Sequence, residues 1–149
     1  MNNLLRAALV LLPLSFFGNF GCADSSPSPA GGRAPAHDEP EPIARTEFSD
    51  RIENFFEYEP LQAGKPSQFR IHLTDLTDGS PVEQARVSLT VRRPADTASV
   101  LETVAKVGKV TGIYVAEVAI PQAGDYDIEF HIKNAMLDER LALSDFKVE

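Results

Sequence analysis

The sequence predicts an all-β chain built as an immunoglobulin-like β-sandwich of seven or eight strands. Three observations predict it. Apolar residues alternate at period 2 in several runs after Ile43. Turn residues punctuate those runs at short intervals, and no stretch carries a helical apolar stripe. Seven or eight short strands in about 105 residues match the dimensions of a two-sheet sandwich.

The elements follow in order. Strands are expected near Glu47–Arg51 and Asn54–Tyr58. Phe69, Ile71 and Leu73 then alternate with Arg70, His72 and Thr74, as a strand with one buried face requires. Val87, Leu89 and Val91 alternate with Ser88, Thr90 and Arg92 in the same way. Further strands are expected over Val100–Val107 and Gly112–Ile120. Tyr126, Ile128, Phe130 and Ile132 alternate with Asp127, Glu129 and His131, and a last strand covers Leu141–Val148. Ala63-Gly64-Lys65-Pro66, Asp78-Gly79-Ser80-Pro81, Arg93-Pro94-Ala95-Asp96 and Pro121-Gln122-Ala123-Gly124 have the composition of turns. A hairpin turn is expected after Asn134. Tyr126 opens its strand as the tyrosine of a tyrosine corner does, with its hydroxyl bonded back to the backbone.

Before the sandwich come two other segments. Residues 1–21 read as a signal peptide, with Arg6 as the only charge and an apolar run from Ala7 to Phe17. That run is shorter than the roughly 20 apolar residues a spanning helix needs. Gly21-Cys22 resembles the end of a bacterial lipobox, although Asn19 and Phe20 depart from its usual residues. The resemblance implies acylation of Cys22 and a chain held to a membrane by its lipid. Residues 22–42 read as a disordered tether: five of the 11 prolines lie there, with no aromatic or large aliphatic residue. His37, beside Asp38 and Glu39, reads as a solvated linker histidine. The sandwich domain is expected over residues 43–149.

Composition excludes several functions. The net charge of −8 argues against a nucleic-acid surface. One cysteine excludes an intramolecular disulfide framework and a multi-thiolate zinc site. Met136 is the only methionine after the leader, which excludes a methionine-rich copper site. Gly-x-Ser-x-Gly, a phosphate loop and His-Glu-x-x-His are absent, and no catalytic residues are assigned.

The stretch Phe55 to Val91, FFEYEPLQAGKPSQFRIHLTDLTDGSPVEQARVSLTV, resembles the N-terminal β-domain of periplasmic adaptor subunits of heavy-metal efflux pumps of the resistance-nodulation-division class. Leu61–Gly64, His72–Thr74, Pro81-Val82, Gly112-Ile113-Tyr114 and Ala123–Tyr126 carry the likeness. It is also similar, more distantly, to small secreted modules of the YtkA-like kind. The adaptors continue into a helical hairpin, a lipoyl-like domain and a β-barrel. This sequence ends at Glu149, so a free-standing copy of one accessory domain is expected.

The resemblance implies a non-enzymatic accessory or binding module linked to heavy-metal efflux or metal handling. The alternatives are a metal-binding periplasmic protein and a structural surface lipoprotein. No cofactor is expected beyond weak divalent-cation binding. His131, Glu129 and Asp127 share one face of a strand and form the candidate metal stripe, with His72 as a further candidate. In an immunoglobulin-like sandwich the second and sixth strands lie in opposite sheets, so His72 and His131 are expected to face solvent on opposite sides. Phe55, Phe56 and Tyr58, set among Glu53, Glu57 and Glu59, are the candidate partner contacts. Adjacent Phe55 and Phe56 cannot both enter one core from a regular strand, so an exposed ring or a bulge is expected. The expected partners are the membrane, through Cys22, and another envelope or efflux protein. The expected location is the bacterial outer membrane facing the periplasm, with a soluble periplasmic or secreted protein as the alternative.

Overall fold

The computed structural model describes residues 40–149. The signal peptide, Cys22 and the tether up to residue 39 lie outside the described residues. Nine strands and no helix follow: β1 (Ile43–Phe48), β2 (Ile52–Tyr58), β3 (Pro66–Asp75), β4 (Arg86–Arg92), β5 (Ser99–Val104), β6 (Lys106–Val107), β7 (Ile113–Ala119), β8 (Gly124–Lys133) and β9 (Asp138–Val148). They form two antiparallel sheets, one ordered β1-β2-β3-β7-β6 and one ordered β5-β4-β8-β9. The chain changes sheet between β3 and β4, returns between β5 and β6, and changes again between β7 and β8, which gives the crossed connections of an immunoglobulin-like sandwich.

The alternation in sequence becomes the alternation in space. Phe69, Ile71 and Leu73 of β3, Val87, Leu89 and Val91 of β4, and Tyr126, Ile128, Phe130 and Ile132 of β8 are all buried. Five rings form the centre of the core. Phe56 packs 4.8 Å from Phe130, and Tyr58 stacks 4.8 Å from Phe69, with Phe146 beside both pairs. Ring pairs at these distances add specific attraction to ordinary apolar burial.

Two tyrosines fasten the connections. The Tyr126 hydroxyl donates to the Gln122 carbonyl at 2.9 Å, the bond of a tyrosine corner, at the β7–β8 crossing. The Tyr114 hydroxyl is buried; it donates to Val82 O at 2.9 Å and accepts from Ala85 N at 3.1 Å. That pair of bonds holds the long β3–β4 connection onto the sandwich. At one end, Leu61 forms a parallel bridge with Val148, and Ala63 N donates to Glu149 O at 2.8 Å.

The stretch expected as one strand over Val100–Val107 is two. Ala105 N bonds Val87 O in one sheet, and Lys106 and Val107 then pair with Val115 and Tyr114 in the other. A single residue carries the chain across the sandwich edge, so the strand breaks there. The first strand begins at Ile43 rather than Glu47, because its pairing with β2 extends to Tyr58.

Strand β1 contains no buried residue, yet its inward side chains close the open edge. The Arg45 guanidinium lies 4.9 Å from the Phe146 ring centroid, bonds Glu47 at 2.7 Å and reaches the Ser144 carbonyl of the other sheet at 3.1 Å. A charged side chain here covers ring faces and keeps the edge soluble.

Candidate functional site

Strand β2 is regular, so its side chains alternate strictly. Phe56 and Tyr58 point inward and are 0% and 6% exposed. This corrects their expected role as partner contacts: both belong to the core, and no bulge is present in β2. Phe55 points outward and is half-buried. It sits opposite His72 of β3, with ring centroids 5.3 Å apart and planes at 73°. Thr46, Phe55, His72 and Ile113 thus form one row across four strands. His72 Nε2 is shielded from solvent and has no hydrogen-bond partner among the described residues.

His131 lies on the outer face of the other sheet, so the two imidazoles point away from each other through the thickness of the sandwich. Asp127, Glu129 and His131 do share the outer face of β8. They are not an open acidic stripe. Glu129 Oε1 is 2.7 Å from Arg140, and its Oε2 is 3.6 Å from Arg92. His131 Nε2 is bonded to Asp138 Oδ1 at 2.7 Å, and Lys133 Nζ holds the second oxygen of that carboxylate. The Lys133 bond, and then the His131 bond, lower the Asp138 carboxyl to about 2.

The two arginines arrive from β4 and β9 because antiparallel pairing sets Arg92 beside β8 on one side and Arg140 opposite His131 on the other. A metal ion would have to displace cations before it reached Glu129 or Asp138, whereas Asp127 forms no ion pair among the described residues. Among the described residues, no three His, Cys, Asp or Glu side chains converge as a metal site requires. Where the sequence suggests a metal stripe, the outer face of β8 carries a ladder of ion pairs. Sequence reading missed Arg92, Arg140 and Asp138, since Arg92 comes from β4 and the other two are brought beside β8 only by the β8–β9 pairing.

Ser88 stands opposite His131 in the β4–β8 register, and Asp138 reaches His131 diagonally from β9, which brings together the residue types found in hydrolytic triads. No hydrogen bond joins Ser88 to His131, and the imidazole meets its carboxylate through Nε2 on an open sheet face. That arrangement lacks the nucleophile–base contact on which such chemistry depends.

A groove lies at one pole of the sandwich, where the β1–β2 turn, the β3–β4 connection and the β8–β9 turn meet. It encloses about 550 Å³ and is lined in part by Arg51, Asp75, Val82, Glu83, Met136 and Leu137. Arg51 joins the three segments. Its carbonyl accepts from Leu76 N at 2.8 Å, its guanidinium donates to Met136 O at 3.1 Å, and the same group lies 3.8 Å from Asp75. Asn134 Nδ2 adds a bond to Glu83 O at 3.1 Å.

The architecture and these surfaces define a small two-sheet β-sandwich module. A family model described as YtkA-like matches residues 46–131, more than half of the chain. The protein belongs to the YtkA-like family. The matched region runs from β1 into β8 and contains both Phe55 and His72. No curated protein matches the chain.

Proposed function

We propose that this protein is a non-enzymatic docking module of a bacterial envelope, exported and held to a membrane by lipid on Cys22. In this reading it serves heavy-metal efflux or metal handling by contacting another envelope protein. Membership of the YtkA-like family and the resemblance of residues 55–91 to the β-domain of efflux adaptors support the link. One observation favours docking over carriage of the ion. The carboxylates nearest His131 are already held by Arg92, Arg140 and Lys133, and His72 faces outward from the other sheet. A tightly bound ion needs several convergent donors in fixed geometry, and among the described residues neither His72 nor His131 has them.

The test uses the exported Cys22→Ser chain, titrated with copper(II), zinc and nickel by calorimetry beside His72→Ala and His131→Ala. No saturable binding in the micromolar range is expected. Micromolar binding lost in either variant would make the protein a metal carrier. Labelled palmitate is expected in the parent chain and not in Cys22→Ser.

A further inference from the structure

The pole that holds the Arg51 groove concentrates exposed apolar side chains. Phe48, Leu76, Val110 and Met136 are 61%, 44%, 61% and 82% exposed, and each sits on or beside a different turn. Solvated sandwich ends do not need such a cluster, and grouped exposed apolar side chains mark contact surfaces. The turns beneath them are tied down. Arg51 bonds two of the segments, Leu73 N donates to Gly112 O at 2.9 Å, and Thr77 N and Ser80 N cap Asp75 and Asp78 at 2.8 and 2.9 Å. The surface is therefore pre-organised, which lowers the ordering cost of binding.

The groove has an apolar floor and a negative rim. Val82 and Leu137 are buried at its base, and Met136 stands at its mouth. Arg51 is matched by Asp75. Glu83 has no ion-pair partner among the described residues. A long basic side chain fits such a site, with its methylenes along the apolar floor and its charge at the carboxylate. An anionic bilayer would meet these carboxylates with repulsion.

We propose that the Arg51–Glu83–Met136 groove docks a protein partner through a Lys or Arg flanked by apolar residues. The proposal rests on the docking-module reading and names the surface and the partner chemistry.

The test places a photo-crosslinking phenylalanine analogue at Met136 in the full anchored chain, in its own envelope, with Ala142 on the far sheet face as the control. The expected result is crosslinking to one protein, at least about tenfold above the Ala142 background. The crosslinked peptide should carry Lys or Arg beside apolar residues. Glu83→Lys should reduce the yield about tenfold at unchanged abundance. Yield no higher than at Ala142, attachment to lipid or to a second copy, an acidic target segment, or indifference to Glu83→Lys would each overturn the proposal. The same experiment in Cys22→Ser separates the two readings. A soluble chain that still crosslinks keeps the groove and loses the anchor, whereas an anchored chain that does not crosslink keeps the anchor and loses the groove.

Discussion

His131 of β8 reaches diagonally to Asp138 of β9, joined through Nε2 and Oδ1 at 2.7 Å, while Arg140 stands directly opposite His131. The contact redirects a histidine that sequence alternation offers to a metal. Glu129, two residues before His131, is taken by arginines in the same way. Antiparallel neighbours thus decide what the outer face of β8 can do.

Asp138 gives a pH prediction. Its carboxyl, held by Lys133 and then His131, titrates near 2 in the folded chain and near 4 when unfolded. A lowered folded value contributes stability above the unfolded value, and that contribution is lost as pH falls from about 4 to about 2. Urea midpoints of the parent should therefore fall more steeply over that window than those of Asp138→Asn. Parallel slopes would show that the contact is not formed in solution.

Tyr114→Phe should cost about 1–3 kcal/mol, because it leaves the buried Ala85 N–H and Val82 carbonyl without their bonds. Tyr126→Phe removes one bond at a part-buried site and should cost about 1 kcal/mol. Equilibrium unfolding in urea would measure both.

Asn54 is 0% exposed, and neither amide atom finds a partner among the described residues. Replacing it by Leu, which has the same branched shape but is larger, removes two buried polar groups. The change should be neutral or stabilise by about 1–2 kcal/mol, read as a raised unfolding midpoint. A loss of more than about 1 kcal/mol would mean that the amide is bonded in solution.

Gly112 and Gly64 separate strain from crowding. Both have positive φ, at 78° and 74°. A Cβ at Gly112 would stand 2.6 Å from Pro81 Cβ, whereas one at Gly64 meets nothing within 4 Å. Gly64→Ala should cost about 1 kcal/mol from backbone strain alone. Gly112→Ala should cost clearly more, about 2–3 kcal/mol, since the β3–β4 connection must also move. Thermal unfolding of the two variants gives the comparison.

The sequence by itself determined the fold class, most of the strands and the turn positions. Alternation is a local property, and a half-buried strand imprints it directly, as β3, β4 and β8 do. It also carried the tyrosine corner, because Tyr126 bonds only four residues back. Tertiary structure decided the rest. Whether Phe55 or Phe56 enters the core depends on the register of β2 against β3, which pairs Phe55 with His72 on the outer face. Whether Glu129 and His131 are free depends on Arg92, Arg140 and Asp138, which arrive on neighbouring strands. The Arg51 groove exists only where three turns distant in sequence meet. Periodicity tells which face a residue occupies, but not which charge the fold sets beside it. Long-range pairing supplies that information.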